Sequence, residues 1–310
     1  MGSESILRFI DLNVYCKKED GMNIRDETRV NRKMAMGFVI YEPEETIITR
    51  LNLALVQGFD LYIFDNSPEK PIVRDLCQSR RNLGNCKYIT CGKNVGLGYG
   101  ISSICAQAYY DSHRALIFFD QDTGFQKSTL DFIEDFYISN SCMSKNYSAV
   151  IFNSKELNKA RNENKFPIKD ILLGISSGSL FLLENLKKIN WHKETYFVDC
   201  VDYEFCLNSN NHGLKVGECS VTPGFDHQSE QPDVKYLIFG KERLLRKYSR
   251  RRIWDTISAS VKLLLSSVMT RNFLFFGALF RSLFIYVGFQ LLARLVGIFK
   301  FKDRLQNDRK

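Results

Sequence analysis

The chain has 310 residues, of which 45% are hydrophobic and 25% are charged. These values are typical of a globular protein, and the length predicts one large domain with an appendage. The net charge of +8 is uneven, because residues 235–310 carry 17 Lys/Arg against 4 Asp/Glu and leave the first 234 residues with a net charge of −5. This distribution argues against binding of nucleic acid and predicts that the basic C-terminal region meets an anionic surface, such as a membrane.

The N-terminal residues and the cysteines bear on the cellular compartment. Residues 1–33 are charged and polar and contain no apolar segment of a signal peptide, so we interpret them as an N-terminal extension of a cytosolic protein. The nine cysteines are odd in number and form no C-x-x-C pair. We therefore expect them to be reduced and mostly buried.

Short apolar runs alternate with amphipathic segments along most of the chain. The predicted strands are 36–41, 61–64, 87–90, 115–119, 148–152 and 215–221, the predicted helices are 47–56, 101–110, 129–138 and 184–189, and 153–170 is predicted to be a polar loop. This alternation predicts an α/β fold with a mostly parallel sheet flanked by helices. Three of the first four strands end in polar or glycine-rich segments, which should meet at one edge of the sheet.

Three strand ends carry candidate ligands. Asp120 and Asp122 follow the run 115–119 directly, and such a D-x-D pair can bind Mg²⁺ or Mn²⁺ that bridges a diphosphate, or it can form a solvated turn that caps the next helix. Asp65 can accept the imide N–H of a uracil or thymine base, or it can form an Asx turn. The segment 92–100 contains four glycines, which favour either approach of backbone amides to phosphate or close helix packing.

The segment 197–207 places carboxylates among apolar and aromatic side chains. If Asp202 begins a helix, Glu204 points elsewhere and one carboxylate faces the crevice. Partial burial would raise the pKa of that group toward the range of a general base, whereas the alternative is a helix N-cap at Asp199 or Asp202. His227 is either a structural histidine or a third metal ligand beside Asp122.

Together these segments resemble the family 2 glycosyltransferases, most closely the bacterial rhamnosyltransferase-like branch that builds O-antigen and other surface polysaccharides. The resemblance covers roughly residues 35–230. The matching segments are Tyr41-Glu42-Pro43, Asp65-Asn66-Ser67, Asn94-Val95-Gly96, Phe119-Asp120-Gln121-Asp122, Ser177-Gly178-Ser179-Leu180, residues 197–207 and His227. Two departures, Ser102 in place of an Asn and Asn208 in place of an Arg, leave the donor sugar open.

The resemblance implies a GT-A fold and a role for each matching residue. The nucleotide sugar would be bound by Tyr41, Asp65, Asn94, Gly96, Asp120 and Gln121, a Mg²⁺ or Mn²⁺ ion by Asp122 and His227, and the acceptor side would be formed by Ser177, Gly178, Ser179 and Glu204. The catalytic base would be Asp202, with Asp199 as the second candidate. The implied reaction is inverting transfer, in which the base deprotonates the acceptor hydroxyl that attacks C1 of the sugar.

The implied donor is dTDP-rhamnose, with a UDP-linked hexose, N-acetylhexosamine or galactofuranose as the alternative, and the implied acceptor is a polyprenyl-diphosphate-linked glycan. Two other classes compete with this interpretation. A sugar-phosphate nucleotidyltransferase would need a basic glycine-rich loop after the first strand, where this chain has Glu42-Pro43-Glu44-Glu45. A non-catalytic nucleotide-sugar-binding protein at the membrane would leave the carboxylates without a chemical role.

The expected domains are the extension 1–33, a GT-A domain at 34–234 and a basic, amphipathic helical region at 235–310. The apolar runs 273–280 and 282–293 are separated by Arg281 and are shorter than the roughly 20 residues that a spanning helix needs. They predict that residues 241–310 lie on an anionic membrane surface at the cytoplasmic face of the inner membrane, with packing on the enzyme or on a second subunit as the alternative. A homo-oligomer is left open.

Overall fold

A central sheet organises the part of the chain that the structure describes. The computed structural model describes residues 34–67, 69, 72–79, 86–153, 168–219, 221–227, 234–238 and 241–307. The predicted N-terminal extension at 1–33 lies outside the described residues.

The described strands and helices follow the predicted order closely. The strands are β1 (Met34–Ile40), β2 (Leu61–Asp65), β3 (Cys86–Thr90), β4 (Ala115–Asp120), β5 (Thr123–Gly124), β6 (Tyr147–Phe152), β7 (Ile168–Ile171), β8 (Ser179–Leu182), β9 (Lys215–Cys219), β10 (Asp226–His227), β11 (Val234–Ile238) and β12 (Lys241–Leu245). The helices are α1 (Thr46–Val56), α2 (Ile72–Ser79), α3 (Leu97–Tyr110), α4 (Lys127–Ser139), α5 (Leu183–Lys188), α6 (Val201–Asn211), α7 (Arg250–Met269) and α8 (Phe273–Asn307), with a 3-10 turn at Ser141–Lys145.

Eight of the described strands form one sheet in the order β3-β2-β1-β4-β8-β6-β9-β7. The strands β1 to β4 are parallel to one another, and β6 is parallel to β9. Strand β8 is antiparallel to both β4 and β6, and β7 is antiparallel to β9. All strands except β7 and β8 therefore run in the same direction, which confirms the predicted α/β class with a mostly parallel sheet.

The sheet is covered by helices on both faces. Along β1, Met36, Phe38 and Ile40 belong to the core on one face and Ala35 and Val39 to the core on the other, as the alternation of side chains in a strand requires. Helices α1, α2 and α4 complete the first core, whereas α3, α5 and α6 complete the second together with residues of α7 and α8. Burial on both faces explains why β1, β2 and β4 are largely continuous apolar runs.

Parallel pairing brings four strand ends to one edge. Ile40 lies opposite Asp65, and Asp65 lies opposite Thr90, while Val39 lies opposite Asp120. The loops that leave these strands therefore start next to one another, as the sequence predicts. This edge is the place for a ligand in an open α/β sheet.

Three sequence expectations need correction. Residues 168–171 of the predicted polar loop form the edge strand β7, which is partly exposed and so lacks the apolar run of a central strand. The predicted helical region at 235–310 begins with the hairpin β11–β12, in which Val234, Tyr236 and Ile238 alternate as in a strand. The apolar runs on either side of Arg281 belong to one helix, α8, whose stretch Phe273–Leu295 is long and apolar enough to cross a membrane, so the expectation that the runs are too short is wrong.

The expectation of fully reduced cysteines is also wrong at one pair. Cys77 in α2 and Cys86 at the start of β3 form a disulfide, with Cα atoms 5.3 Å apart. The two cysteines are nine residues apart and belong to no recognisable motif, so the sequence does not reveal that they pair. Among the other described residues, Cys91, Cys105, Cys142, Cys200, Cys206 and Cys219 are free thiols, and most of them are partly or fully buried.

Candidate active site

Three aspartates meet at the carboxyl edge of the sheet. Asp120 ends β4, Asp122 follows it in the connection to β5, and Asp202 lies in the first turn of α6. The pKa of Asp120 is raised to about 7, chiefly by burial and further by the negative charges of Asp202 and Asp122. A hydrogen bond from Ser177 opposes this rise. The structure thus brings together the three carboxylates that the sequence assigned to nucleotide, metal and base.

Asp202 has the environment of a basic carboxylate. Burial raises its pKa, while hydrogen bonds from the side chain and backbone of Ser176 lower it. The Ser176 hydroxyl donates to Oδ1 of Asp202 and so orients the carboxylate. Cys200, with φ of 64°, starts α6 in the left-handed region and sets the direction in which its first turn points. The sequence analysis did not single out Ser176, because only its neighbours match the family motif.

The other two carboxylates of this segment point away from Asp202. Thr256 of α7 donates a 3.1 Å hydrogen bond to Oδ1 of Asp199. Glu204 is 1% exposed and its Oε1 lies 2.8 Å from Nζ of Lys193. Because residues two apart on a helix face different directions, Glu204 cannot share the crevice with Asp202. These contacts favour Asp202 over Asp199 as the base, and the roles of Asp199 as second candidate base and of Glu204 on the acceptor side stay predictions.

The turn before β8 supports the D-x-D loop. Ser177 accepts a 3.1 Å hydrogen bond from the backbone N–H of Asp120, and its hydroxyl lies 2.9 Å from that of Thr123. Gly178 has φ of 76°, and a Cβ at this position would lie 2.6 Å from ring atoms of Phe225. Ser179 is buried and donates to a backbone carbonyl of the same turn. Ser177, Gly178 and Ser179 therefore support the loop from inside, and their place on the acceptor side stays a prediction.

Gln121 links the D-x-D loop to the loop after β1. Its Oε1 accepts from the backbone N–H of Tyr41 at 2.8 Å, and its Nε2 donates to the carbonyl of Tyr41 at 3.0 Å. Arg50 of α1 donates to the carbonyl of Gln121 at 2.6 Å. The Tyr41 ring is 49% exposed at the edge of the site, so it is available to a ligand, whereas Gln121 is committed to holding the two loops together. Arg50 is a support that the sequence analysis missed.

Asp65 forms the Asx turn that was the alternative to base recognition. Its Oδ1 accepts from the backbone N–H of Ser67 at 2.7 Å and from the Ser67 hydroxyl at 3.1 Å. Its Oδ2 accepts from the Tyr88 hydroxyl at 2.6 Å, and the residue is 0% exposed. The carboxylate therefore has internal partners, and its contact with the nucleotide base stays a prediction.

The glycine loop packs against the segment that leads into α6. A Cβ at Gly96 would lie 2.5 Å from the carbonyl oxygen of Phe197, and the backbone N–H of Leu97 donates to that same carbonyl. Asn94 accepts from the N–H of Gly96 at 3.0 Å, and Asn66, which the analysis did not single out, accepts from that of Val95 at 2.9 Å. Close packing thus explains Gly96, and the binding of the nucleotide sugar by Asn94 and Gly96 stays a prediction.

The chain around His227 reaches the D-x-D loop through a two-residue ladder. His227 pairs with Thr123 and Asp226 with Gly124 in the antiparallel pair β10–β5. The backbone of His227 therefore lies beside the residue that follows Asp122, where the predicted metal ligand should be. The side chain of His227 lies outside what the structure describes.

The acidic residues fit a hard divalent cation. Within the described part of the chain, no group of three or more His, Cys, Asp or Glu side chains is arranged as a metal cage. Mg²⁺ and Mn²⁺ do not need one, because they commonly use one or two carboxylates and complete their shell with water and substrate phosphates. After burial, the negative charges of Asp202 and Asp122 raise the pKa of Asp120 further. A bound cation would offset this repulsion.

The raised pKa of Asp120 predicts how stability depends on pH when metal is absent. The folded state holds a proton up to about pH 7, whereas the unfolded chain releases it near pH 4, so stability should fall as pH rises through this window. Asp120→Asn should remove most of the fall, on the order of 2–4 kcal/mol, and be the more stable protein at pH 8. Urea unfolding in EDTA at pH 4.5 and pH 8 measures this. Asp131→Asn, at an exposed helical site, is the matched control, and parallel profiles for Asp120→Asn and the parent chain would contradict the prediction.

Comparisons with known proteins give weak likenesses. No protein-family model and no curated protein matches the sequence. Among solved structures, residues 1–349 of TarS from S. aureus match with 16% identity and a TM-score of 0.47, covering 62% of this chain and 59% of that one. The mannosyltransferase PcManGT from Pyrobaculum calidifontis, in complex with GDP-Man and Mn²⁺, matches with 13% identity and a TM-score of 0.45, covering 63% and 56%.

A third structure, GalNAc-T7 with UDP, GalNAc and Mn²⁺, matches with 9% identity and a TM-score of 0.46, covering 63% of this chain and 42% of that one. The chain thus spans less than two thirds of the length of each of these three proteins. At these identities and TM-scores the likenesses carry no argument about activity. The case for a function rests on the residues of the site.

Proposed function

We propose that the protein is a GT-A glycosyltransferase that moves a sugar from a nucleoside diphosphate to an acceptor hydroxyl. The observation that carries this proposal is the meeting of Asp120, Asp122 and Asp202 at the carboxyl edge of the sheet. A diphosphate leaving group needs positive charge beside it, and an attacking hydroxyl needs a base across from it. The two carboxylates at the end of β4 can hold a cation beside the diphosphate, and the third, on α6, can act as the base.

The proposed reaction is a single displacement with inversion. Asp202, held by Ser176, takes the proton of the acceptor hydroxyl as its oxygen forms a bond to C1 of the sugar, and the bond from C1 to the diphosphate oxygen breaks. A Mg²⁺ or Mn²⁺ ion would be held by Asp120 and Asp122, and also by His227, whose backbone lies beside the residue that follows Asp122. When bound, the ion would neutralise charge on the departing diphosphate. The exposed Tyr41 ring is available to the nucleotide.

The finer proposal concerns substrates and location. The donor is dTDP-rhamnose, or alternatively a UDP-sugar, and the acceptor is a polyprenyl-diphosphate-linked glycan of bacterial surface polysaccharide such as O-antigen. A basic C-terminal region next to the domain supports a lipid-linked acceptor, because it would hold the enzyme at the cytoplasmic face of the inner membrane as a peripheral protein.

A panel of nucleotides and nucleotide sugars, with Mn²⁺ and with EDTA, tests the proposal by thermal unfolding. Nucleoside diphosphates and their sugar conjugates should raise the Tm by a few degrees only when Mn²⁺ is present, because a ligand that binds the folded state stabilises it. If no member of the panel raises the Tm, the proposal is overturned. Binding without release of a nucleoside diphosphate from any bound donor, with lipid-linked glycans as acceptors, would favour the non-catalytic binding protein instead.

A further inference from the structure

The two C-terminal helices form an antiparallel hairpin with an apolar outer face. Exposed apolar residues at helical spacing are Trp254, Val261, Leu265 and Met269 on α7 and Phe273, Phe280, Phe284, Leu291 and Leu295 on α8, and Val268, Leu274, Ile285 and Phe289 are exposed beside them. Within α8, Phe273–Leu295 has a mean hydropathy of 1.6, and only 17% of its most apolar part is buried inside the protein. By length and composition this stretch can cross a membrane, and the protein covers little of it. An exposed apolar surface of this extent marks a contact with an apolar partner.

The charge of the hairpin identifies the partner as an anionic lipid surface. Residues 246–295 contain nine Lys/Arg and one Asp. Exposed basic side chains lie beside the apolar residues on α7, on the turn and on α8, at Arg251, Lys262, Arg271 and Arg281. A second protein chain would have to supply matching acidic side chains, whereas this domain beyond the hairpin is only weakly acidic. Basic side chains next to a Phe/Leu/Trp face are typical of helices that lie in the headgroup region.

The N-terminal end of α8 is tied to the catalytic domain. Asn272 donates a 2.7 Å hydrogen bond to Oδ1 of Asn210 at the end of α6, and its own Oδ1 accepts from the backbone N–H of Phe275. Phe275 and Leu279 are buried in the same core as α3 and α6. This end of the apolar stretch cannot leave the domain without exposing core side chains.

The other end of the stretch is tied to the chain that precedes α7. Gln290 is 5% exposed, and it accepts from the backbone N–H of Tyr248 and donates to the carbonyl of Arg246 at 2.9 Å. Arg294 donates to the carbonyl of Tyr248 at 2.8 Å. Between Phe275 and Gln290 the helix rises about 22 Å, so the two attachments lie closer together than the thickness of a bilayer core.

Helix α7 is attached to the domain along its length. Thr256 bonds to Asp199, and the Ser260 hydroxyl lies 3.4 Å from Sγ of Cys200. Leu263 belongs to the core beneath it. A hairpin held at both ends and along one arm cannot cross a bilayer, because crossing would place domain contacts inside the hydrocarbon.

We propose that the α7–α8 hairpin lies in the plane of an anionic membrane and inserts its outer apolar face to the depth of the headgroup and upper acyl region. This inference rests on the membrane location proposed above and adds the surface, its residues and its orientation, but it does not depend on the sugar chemistry. Asp199 and Cys200, which α7 contacts, immediately precede the helix that carries Asp202. The lipid surface therefore lies next to the candidate base, where a lipid-linked acceptor would arrive.

Vesicle binding by the full chain tests the surface. Cosedimentation should be strong with vesicles that contain phosphatidylglycerol and weak with phosphatidylcholine alone. Leu265→Glu combined with Phe284→Glu should weaken binding at least tenfold, while Ile138→Glu, at a site 69% exposed on α4, should leave it unchanged. Circular dichroism melts establish that the variants fold. Absence of vesicle binding by the parent chain, with self-association in sedimentation equilibrium that the double variant abolishes, would overturn the proposal in favour of a second copy as the partner.

Fluorescence quenching tests the orientation. Trp254→Phe with Phe284→Trp places a reporter at the midpoint of Phe273–Leu295, and the other tryptophan, Trp191, is buried and gives a constant background. Lipids brominated near the headgroup should quench this reporter several-fold more strongly than lipids brominated near the chain ends. Stronger quenching by the deep bromines would show a spanning helix and overturn the in-plane orientation. Neither readout uses a sugar nucleotide, so failure here is distinct from failure of the proposed reaction.

Discussion

Replacing Asp202 with Asn should abolish sugar transfer and leave donor binding intact. Asn keeps the shape of the side chain and can still accept the hydrogen bond from Ser176, but it cannot take a proton. Loss of a positioned general base lowers the rate by roughly 10²–10⁴-fold. Rates of nucleoside diphosphate release at saturating donor and acceptor measure the first effect, and Mn²⁺-dependent thermal shifts with the donor measure the second.

Two further substitutions make this result specific. Asp131→Asn makes the same chemical change in an exposed ion pair with Lys127 and should keep the parent rate. Asp199→Asn removes the carboxylate that lies just before α6. We expect it to lower the rate far less than Asp202→Asn, because Asp199 faces α7. If Asp199→Asn were the inactive variant and Asp202→Asn the active one, the identity of the base would be reversed.

The strands that position the site were predictable because their physics is local. The runs 115–119 and 61–64 are buried on both faces of the sheet, and a strand in that environment must be apolar throughout. Where the chain leaves such a strand, polar residues appear at once. The ends of β2 and β4 and the convergence of their loops therefore follow from the order of residue types alone.

The roles of individual carboxylates at that edge were not predictable in the same way. Asp65, Asp199 and Glu204 differ from Asp202 by their partners, and the partners Tyr88 of Asp65 and Thr256 of Asp199 are far away in the sequence. Tyr88 comes from the neighbouring strand and Thr256 from a C-terminal helix. Asp202 also has an internal donor, Ser176, so one residue type in one motif does not reveal which carboxylate the fold leaves for a ligand.

The role of the glycine segment 92–100 was also not predictable from the sequence. The segment 92–100 was equally compatible with phosphate binding and with tight packing. The carbonyl of Phe197, 100 residues beyond Leu97, occupies the space at Gly96 and accepts from the N–H of Leu97, which favours tight packing at this glycine. Only the tertiary structure brings those two segments together.

Replacing Asp122 with Ala should abolish Mn²⁺-dependent binding of the donor. If Asp122 and the donor diphosphate share one cation, removal of the carboxylate should weaken Mn²⁺ binding and donor binding together, by about 100-fold or roughly 2.7 kcal/mol. Electron paramagnetic resonance of free Mn²⁺ measures the metal directly, with and without nucleoside diphosphate. Thermal shifts with the same ligands measure the donor, and neither measurement requires turnover.

The outcome for Asp122 separates metal binding from general electrostatics. Asp131→Ala removes a carboxylate of the same charge on an exposed helix and should leave both affinities unchanged. His227→Ala should cause a smaller loss if its imidazole completes the shell that its backbone position suggests, because carboxylate and phosphate oxygens remain as ligands. Parent-like Mn²⁺ affinity in Asp122→Ala, together with loss in Asp120→Ala, would move the cation to the strand end itself.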